Sequence, residues 1–405
     1  MIPSIPPESF SKFSLGGFSG FSPEDGCWMA QALALAGRGL TTTQPNPRVG
    51  CVIVRDGQLV GRGFHARTGE PHAEVFALRE AGERAQGATA YVTLEPCAHF
   101  GKTPPCAPQL AAAGVQRVVT AMVDPDPRVA DGGHAILRAA GVQVDVGLMA
   151  AEARWLNRGF LSRIERGRPW VTVKIAQSLD GRTALANGES RWITGEAARH
   201  DVQFLRARQS AILTGVDTVL MDDARLNVRL SAQELGIDGT VRQPLRVVLD
   251  SGLRLPPFAP IFDTPGAVQI YTRDVMAGIH HDGLTARGVH LVATPHTGSG
   301  LDLPFVLHHL AEQGINDVLV EAGSKLSGAF IAQQLTDELI VYQAPVLLGH
   351  QAQASVALPP CDRLDQASRW QVTDTRRVGD DLRITLIPQI GSSATAIVQE
   401  PVQRR

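Results

Sequence analysis

Hydrophobic and polar positions in the first part of the chain change between helical and strand-like spacing. An apolar helical stretch at residues 28–36 comes before two strand-like runs at residues 49–55 and 58–64. The pair Asp56-Gly57 stands between these runs and predicts a tight β-hairpin. The chain therefore opens with a helix followed by a two-stranded hairpin.

The same half then alternates single strands with single helices. The spacing predicts helices at residues 72–81, 108–113 and 135–140 and strands at residues 88–94, 115–123 and 142–146. Strand and helix in regular alternation are typical of a mostly parallel sheet with helices on its faces. The pattern predicts the α/β fold class.

An arginine-rich segment at residues 152–169 interrupts the alternation and predicts a domain boundary. We expect a loose tail at 1–22, a first domain at 23–160, a second domain at 165–390 and a disordered tail at 391–405. The second half alternates again. Its predicted strands are 170–176, 211–214, 245–249, 317–320 and 338–342, its helices 196–208, 303–313 and 326–334, and a closing hairpin at 370–387 turns at Gly379-Asp380.

Composition narrows the class of protein. The 405 residues are 44% hydrophobic and 19% charged, which suits two ordinary globular domains. A formal charge of -2 and 5% aromatic residues provide neither the basic field nor the stacking surfaces of a nucleic-acid binder. We expect a small-molecule substrate and no nucleic acid.

Five cysteines form an odd, sparse set that is unlike the dense even sets of secreted scaffolds. A reducing cytoplasm is the expected location. The first 22 residues lack a basic start followed by a continuous apolar run, so neither a signal peptide nor a membrane anchor is predicted.

One histidine and two cysteines have the types and order of catalytic zinc ligands. His72 opens a predicted helix, Cys97 follows a predicted strand, and Cys106 comes after eight intervening residues. Three protein ligands leave a fourth tetrahedral position for water, as a catalytic zinc requires. A stray histidine and two core cysteines are the alternative, which the ordered set disfavours.

Glu74 lies two residues after His72 and is predicted to carry the proton. Residues two apart on a helix point about 200° apart, so the ion is expected near the helix N-terminus, where both side chains can approach it. With zinc to activate a water, the set suits hydrolysis of a bond between a ring carbon and an exocyclic amine. His99 also lies between the cysteines and is assigned to the substrate side, because three ligands suffice.

The loop between the cysteines is longer than the two-residue spacer of most nucleobase deaminases. Together with Asn46 in Pro-Asn-Pro, this loop resembles the deaminase of riboflavin biosynthesis, which acts on a phosphoribosylated diaminopyrimidinone. Lys102 and Thr103 either meet the phosphate or ribose of such a substrate or belong to a solvated loop. The loop 124–133 also resembles the family, but Asp131 stands where a small residue is expected, which leaves its role open.

No Gly-x-Gly-x-x-Gly fingerprint follows a strand, so a Rossmann domain is not supported. The stretch 321–329 instead ends a strand in glycine and begins a helix, which exposes backbone N–H groups and a positive dipole to phosphate. Ala329 and Phe330 follow Gly328 where a nucleotide-triphosphate loop has Lys and Ser/Thr. That type of loop is therefore excluded.

The stretches 173–182, 188–194 and 321–329 resemble the reductase of the same pathway. The ordered pair of domains from 24 to 390 therefore resembles the bifunctional deaminase/reductase family of riboflavin biosynthesis. The resemblance implies a cytidine-deaminase-like α/β/α domain, then a dihydrofolate-reductase-like α/β domain, with zinc and NADPH as cofactors. The second reaction would reduce a ribosylamine to a ribitylamine.

Carried over position by position, the resemblance also implies binding residues. It implies NADPH contacts at Ala176, Trp192, Thr218, Asp222, Ser251, Gly323, Ser324, Lys325, Leu326, Ser327, Gly328 and Ala329. It implies substrate contacts at Ser190, Arg206, Leu226, Arg229 and Glu321. Arg206 and Arg229 are able to fork onto a phosphate, Glu321 can accept hydrogen bonds from ribose hydroxyls or a ring N–H, and Lys174 is expected near the sugar.

Two other functions remain open from the sequence. One is a nucleoside or tRNA deaminase fused to an unrelated cofactor-binding domain, which the low charge and the long cysteine spacing disfavour. The other is a structural metal joined to a ligand-sensing module, for which a fourth protein ligand would be the mark. We also expect a homo-oligomer with no membrane partner.

Overall fold

The structure is a computed structural model that describes residues 20–99, 104–127, 129–276, 279–298 and 300–389. Contacts within the chain divide it into two compact units, the first ending at Arg166 and the second beginning at Gly167. None of the helices in these ranges combines the length and apolar character that a membrane span requires. The predicted tails lie outside the described residues, except for residues 20–22.

The first unit contains one five-stranded sheet. Its strands are β1 (Gly50–Arg55), β2 (Gln58–Phe64), β3 (Thr89–Val92), β4 (Arg117–Thr120) and β5 (Gln143–Val146). Their order is β2-β1-β3-β4-β5, with β1 antiparallel to both neighbours and β3, β4 and β5 parallel. The predicted hairpin is confirmed, and Asp56 and Gly57 both have the positive φ that its turn requires.

Six helices accompany this sheet among the residues that the structure describes. They are α1 (Pro23–Gly37), α2 (Ala73–Ala81), α3 (Cys106–Ala112), α4 (Gly132–Ala139), α5 (Ala150–Leu156) and α6 (Arg158–Arg166), with a 3₁₀ turn at Gly82–Ala85. Helix α1 begins with a capping box between Ser22 and Asp25, which satisfies N–H groups at its N-terminus. Buried apolar residues from β1, β3, α2 and α3 form the core of the unit.

The segment predicted as a break is largely helical, because α5 and α6 occupy most of it. Arginine is a good helix former, and its long side chains can pack while their charged ends stay paired. Arg158 lies over the Trp155 ring at 4.5 Å, and Arg154 pairs with Glu165 at 2.9 Å. The two units divide near the end of this segment, between Arg166 and Gly167.

Two glycines of β2 bring α2 close to the sheet. A Cβ atom at Gly61 would lie 2.2 Å from the Ala77 carbonyl oxygen, and one at Gly63 would lie 2.2 Å from the Ala73 oxygen. Neither position has room for a side chain. The tight contact fixes the first turn of α2, where His72 and Glu74 stand.

The described part of the second unit contains thirteen strands. They are β6 (Trp170–Ser178), β7 (Arg182–Ala184), β8 (Ala211–Gly215), β9 (Leu245–Leu249), β10 (Val268–Thr272), β11 (His290–Ala293), β12 (His296–Thr297), β13 (Gly300–Leu301), β14 (Asp317–Val320), β15 (Glu338–Ala344), β16 (Gln353–Ala354), β17 (Trp370–Val378) and β18 (Asp381–Pro388). Nine form the main sheet, in the order β11-β10-β9-β8-β14-β6-β15-β18-β17. In this order the strands from β11 through β15 are parallel, β18 is antiparallel to β15, and β17 is antiparallel to β18.

The helices of this unit connect the parallel strands. They are α7 (Glu196–Arg208), α8 (Val216–Asp222), α9 (Ala232–Leu235), α10 (His281–Ala286), α11 (Leu303–Glu312) and α12 (Ser324–Ala332), with 3₁₀ turns at Pro260–Asp263 and Leu364–Gln366. Neighbouring residues of one strand enter different cores: Ile212 belongs to one apolar cluster and Leu213 to the other. Both faces of the sheet are therefore covered.

Candidate active sites

The predicted zinc ligands of the first unit come together in the structure. His72 is the residue before the first turn of α2, Cys97 follows β3 in a loop, and Cys106 is the first residue of α3. His72 Nδ1 lies 3.5 Å from Cys97 Sγ and 3.4 Å from Cys106 Sγ. The three ligand atoms all lie within 4.8 Å of one another. The predicted position of the site, near the helix N-terminus, agrees with this geometry.

The donor set fits zinc. One imidazole nitrogen and two thiol sulfurs are the ligand types that zinc prefers, and three of them leave a coordination position open. Glu74 is 3% exposed, and its Oε2 atom has no hydrogen-bond partner among the described residues. A buried carboxylate oxygen without a partner is costly unless something in the site uses it. The open position and the unpartnered oxygen suit a catalytic ion.

Electrostatics in the site also favour a cation. Hydrogen bonds from the Cys106 thiol and then from His72 lower the pKa of Cys97 to about 4, although burial opposes them. The Cys97 thiolate in turn raises the pKa of Cys106, as does burial. Two adjacent thiolates repel each other, so a divalent cation between them would favour ionisation of both. Burial raises the pKa of Glu74 to about 7.

His65 belongs to the site, although its sequence context did not single it out. Its Nδ1 lies 3.2 Å from the Pro71 carbonyl oxygen and its Nε2 lies 3.1 Å from Asn46 Nδ2. A carbonyl only accepts, so Nδ1 carries the proton and Nε2 accepts from Asn46. The His65 ring also meets the His72 ring edge-on, with centroids 5.5 Å apart. Its place at the end of β2 was the available clue.

The remaining predicted residues of this unit are only partly described. His99 is exposed and does not belong to the three-ligand group. Lys102 and Thr103 lie outside the described residues. Their expected contacts with phosphate or ribose stay predictions.

Several of the predicted residues of the second unit lie at or just after the carboxyl ends of its parallel strands. Ala176 is near the end of β6, Ser251 follows β9, and Glu321 directly follows β14. Thr218 and Asp222 lie on α8, which begins where β8 ends. Ligands of parallel α/β sheets bind at this edge.

Arg206 and Glu321 form a bidentate ion pair. Arg206 Nε donates to Glu321 Oε1 at 2.6 Å, and its Nη2 donates to Oε2 at 2.9 Å. Its Nη1 donates to the Asn227 carbonyl oxygen at 3.1 Å. The sequence predicts that Arg206 forks onto a phosphate and that Glu321 accepts from a ribose. In the structure the two side chains bind each other, a contact that the sequence does not predict, and their substrate contacts stay predictions.

Lys174 and Arg229 surround this pair with further positive charge. The register of β14 on β6 pairs Val320 with Val173, which places Glu321 beside Lys174 on the next strand. Burial lowers the pKa of Lys174, and the Glu321 carboxylate opposes that effect. Burial would raise the pKa of Glu321, but the Arg206 guanidinium holds it below its usual range. The Arg206 and Arg229 guanidinium groups and the Lys174 amine therefore all act on a single carboxylate.

The N-terminus of α12 fits a dinucleotide phosphate. Gly323 precedes the helix and is exposed, no side chain caps the first N–H groups, and a Cβ atom at Gly323 would meet no described atom within 4 Å. Uncapped N–H groups and the helix dipole favour an anion. Gly328 meets the opposite requirement, since its Cβ would lie 2.0 Å from the Ala357 carbonyl oxygen. The predicted stretch 323–329 therefore combines an open first turn with a tightly packed second turn.

The other predicted residues of this unit differ in accessibility. Trp192 is 69% exposed, with the Arg199 guanidinium 4.5 Å from its ring centroid. Ser190 is half-buried and Arg229 is exposed. Leu226 is buried and has a positive φ of 53°, which is rare for a bulky residue. Only its backbone is in a position to meet a substrate.

Comparisons with known proteins follow the same division. Residues 23–122 match the cytidine and deoxycytidylate deaminase zinc-binding region, and residues 169–384 match the RibD C-terminal domain. The riboflavin biosynthesis protein RibD of Escherichia coli (strain K12) is 49% identical over 370 residues, which cover 90% of this chain and 99% of that protein. RibD of Haemophilus influenzae is 44% identical, over 91% and 99% of the two chains.

Solved structures agree along most of the chain. One form of Acinetobacter baumannii RibD superposes with a TM-score of 0.83 at 48% identity, covering 90% of this chain and 99% of that one. A diaminohydroxyphosphoribosylaminopyrimidine deaminase/5-amino-6-(5-phosphoribosylamino)uracil reductase of Thermotoga maritima gives 0.79 at 31% identity, with the same coverage. An unrelated cofactor domain and a ligand-sensing module are both inconsistent with these matches.

Proposed function

The chain belongs to the RibD family of bifunctional deaminase/reductases of riboflavin biosynthesis, and from that premise we propose which of its residues serve each reaction. The enzyme combines a zinc-dependent deaminase with an NADPH-dependent reductase. The proposed substrate of the first reaction is a phosphoribosylamino diaminopyrimidinone, and the second reaction reduces the ribosyl group to ribityl. The proposed catalytic domains span 23–160 and 165–390.

His72, Cys97 and Cys106 would hold the zinc of the deaminase. When bound, the ion supplies a water activated for attack near neutral pH. Glu74 holds and moves the proton, because its unpartnered Oε2 is buried beside the ligand set. Burial favours its protonated form, which suits a group that accepts a proton and then returns it to the ring and the leaving ammonia. The observation that carries this assignment is the meeting of the three ligand atoms.

Asn46 and His65 would orient the substrate of the deaminase. The hydrogen bond from Asn46 Nδ2 to His65 Nε2 fixes the amide, since His65 Nδ1 is held by Pro71. That bond orients the side-chain amide of Asn46, so its Oδ1 atom is free to accept from a ring amine or N–H group of the substrate. Burial lowers the pKa of His65, which keeps the ring neutral in this arrangement.

The reductase would bind NADPH along the carboxyl edge of its sheet. The proposed contacts are Ala176, Trp192, Thr218, Asp222, Ser251, Gly323, Ser324, Lys325, Leu326, Ser327, Gly328 and Ala329. NADPH, when bound, supplies the hydride, and the protein positions the two reactants. The uncapped first turn of α12 supports a phosphate contact there.

Ser190, Arg206, Leu226, Arg229 and Glu321 would bind the substrate of the reductase. Arg229 is the exposed cation of the group and suits the substrate phosphate. Arg206 holds Glu321, so the pair acts as one unit that orients the carboxylate near the sugar. The Leu226 contact would come from its backbone.

Separate assays of the two reactions test the proposal. The phosphoribosyl diaminopyrimidinone is supplied with zinc and NADPH, and ammonia release and loss of nicotinamide absorbance are followed independently. We expect both signals from the wild-type chain, with ammonia appearing even when NADPH is withheld. Consumption of NADPH without any release of ammonia would contradict the order of the two steps.

The proposal also includes a homo-oligomeric state and a cytoplasmic location. Strand β17 forms an edge of the nine-stranded sheet, and Val372 on it is 55% exposed, which supports a homo-oligomer built on that edge. The five cysteines are free thiols, which supports a reducing cytoplasm. Light scattering on the purified chain would test the oligomer, and a monomeric mass would contradict it.

A further inference from the structure

The Glu95 carboxylate accepts hydrogen bonds from four backbone N–H groups that lie 29 to 39 residues further along the chain. It lies two residues before Cys97 and is 5% exposed. Its Oε2 accepts at 3.0 Å from two of these groups and its Oε1 accepts at 2.9 and 3.4 Å from two others. In that order the donors are the N–H groups of Asp124, Asp131, Gly133 and His134.

Two of these donors belong to the first turn of α4. The N–H groups at the start of a helix lack partners within the helix, and the helix dipole favours a negative charge there. The other two donors, Asp124 and Asp131, stand at the two ends of the loop that leads into α4. One carboxylate therefore closes this loop and caps the helix after it.

A second, independent contact joins the same two segments. Gly133 lies so close to the chain at Pro96 that a Cβ atom would stand 1.8 Å from the Pro96 carbonyl oxygen. No L side chain fits at that distance. The residue before Cys97 is thus pressed against α4 backbone to backbone, next to the Glu95 carboxylate.

Cys97 itself lies in a loop without regular structure, so its position depends on its neighbours. On one side, the Cys97 carbonyl oxygen accepts from Ala107 N at 3.1 Å, and its Sγ accepts from Cys106 N at 3.3 Å. On the other side stand Pro96 and Glu95 with their contacts to α4. The sulfur is therefore held between α3 and α4.

We propose that Glu95 is a positioning residue of the deaminase, which clamps the Pro96-Cys97 segment onto α4 through Gly133 and so sets the place of a zinc ligand. The inference rests on the proposed ligand set of His72, Cys97 and Cys106. The backbone N–H groups of Asp124, Asp131, Gly133 and His134 thereby gain a role that the sequence left open, because they bind the Glu95 carboxylate.

An isosteric change tests the carboxylate. In Glu95→Gln, one oxygen becomes an NH₂ donor, and each oxygen of Glu95 now serves two N–H groups. Either orientation of the amide therefore leaves two backbone donors facing a third donor. Groups that orient a metal ligand typically account for about 10- to 100-fold in metal affinity, and a loss of that size is expected here.

A steric change tests the same joint from the other side. In Gly133→Ala, the new methyl group must displace the Pro96 carbonyl, and the expected loss of zinc affinity is again about 10- to 100-fold. Gly132→Ala is the matched control, because its Cβ would approach only the Ala98 methyl group, at 3.3 Å. Glu83→Gln, at an exposed carboxylate of the same unit, controls for the loss of charge.

The measurement is zinc affinity of the full chain by competition with a colorimetric chelator, joined by the absorption spectrum of the cobalt(II)-substituted protein. Cobalt bands respond to ligand geometry, so they should shift in both test variants and stay unchanged in both controls. Reductase activity checks the second unit, and amide hydrogen exchange of α2 and β3 checks the fold of the first.

Weaker zinc binding and shifted cobalt bands in both test variants, with exchange protection retained in α2 and β3, would support the clamp. Wild-type affinity and spectra in the two test variants would overturn it. So would a loss of affinity that comes with loss of protection throughout the first unit, since Glu95 would then only stabilise the fold. Zinc retained by Cys97→Ser would instead overturn the ligand set, and the inference with it.

Discussion

The candidate sites of the two units differ in how their charged groups are balanced. In the first, the Cys97 and Cys106 sulfurs and an unpartnered oxygen of the buried Glu74 stand around a point that a cation would occupy. In the second, Arg206 and Glu321 neutralise each other through two hydrogen bonds, although 115 residues separate them in the chain. The deaminase site is completed by an ion, whereas the reductase site already contains its central pair.

This difference determines which site residues could be predicted from the sequence. A zinc site needs particular residue types, so His72, Cys97 and Cys106 were recognisable from type and order alone. The role of Arg206 depends on which distant carboxylate lies next to it, and the sequence carries no such information. The contact between Arg206 and Glu321 therefore could not be predicted, and the expected phosphate contact of Arg206 stays a prediction. His65 was missed because its importance comes from Asn46 and Pro71, which fold around it.

Loss of a zinc ligand is expected to have the largest effect. Cys97→Ser removes one of three protein ligands, so the chain should purify without stoichiometric zinc, and ammonia release should fall below detection. Reduction of a supplied deaminated substrate should continue, because the second unit has its own core. Metal analysis and the two separate assays measure this. Zinc and ammonia release both retained would remove Cys97 from the site.

Glu74→Gln separates metal binding from proton transfer. Glu74 is proposed to move a proton without binding the metal, so zinc content should stay at the wild-type level. Deamination should fall about 100- to 10,000-fold, the usual contribution of a general acid–base group. Ammonia release at saturating substrate is the measurement. Activity close to wild type would exclude the proposed role, and reduction should be unaffected in either case.

Arg206→Ala should act on the stability of the second unit. Removal of one partner leaves the buried Glu321 carboxylate unpaired, which typically costs about 3–5 kcal/mol. Denaturant unfolding, with ammonia release as the internal control, measures this loss. Arg229→Ala is the matched comparison. Loss of this exposed side chain should weaken substrate binding by about 10- to 100-fold and should change the unfolding free energy little. Equal stability of the two variants would show that the ion pair has no special structural role.

Two glycines sharpen the comparison within the reductase. Gly328→Ala must push α12 away from the Ala357 carbonyl, so a loss of about 1–3 kcal/mol in unfolding free energy is expected, together with a raised KM for NADPH. Gly323→Ala has open space around the new methyl group and should change stability much less. Because Gly323 is proposed to lie against a phosphate of NADPH, the KM of the Gly323→Ala variant for NADPH should still rise. An unchanged KM in Gly323→Ala would move the cofactor away from this turn.

Regular elements were the easiest part of the fold to predict. Helix 196–208 and strands 245–249 and 317–320 are confirmed to the residue, because clear periodicity and flanking turn residues define them. Helix α8 was missed because it follows β8 without a connecting turn, so one apolar run contains both elements. Strands β10 and β11 were missed because turn and polar residues surround short apolar runs, and only pairing within the parallel sheet makes them strands.

The smallest effect is expected at Asp131, which stands at a left-handed position with a φ of 59°. Such a position costs a residue with a side chain about 1 kcal/mol or more, which Asp131→Gly would relieve. The same change removes the acceptor of His134 Nδ1 and of Arg138 Nη1, both at 3.2 Å, and adds freedom to the unfolded chain. These terms oppose each other and are of similar size, so unfolding free energy should change by less than about 1 kcal/mol. Asp131→Ala should be the less stable of the two, because it loses the acceptor and keeps the strained conformation.

Zinc affinity should stay at the wild-type level in both, since Glu95 accepts from the backbone N–H of residue 131, which glycine and alanine retain. A clear loss of zinc in Asp131→Gly would mean that the side chain of Asp131, and not its backbone, supports the deaminase site.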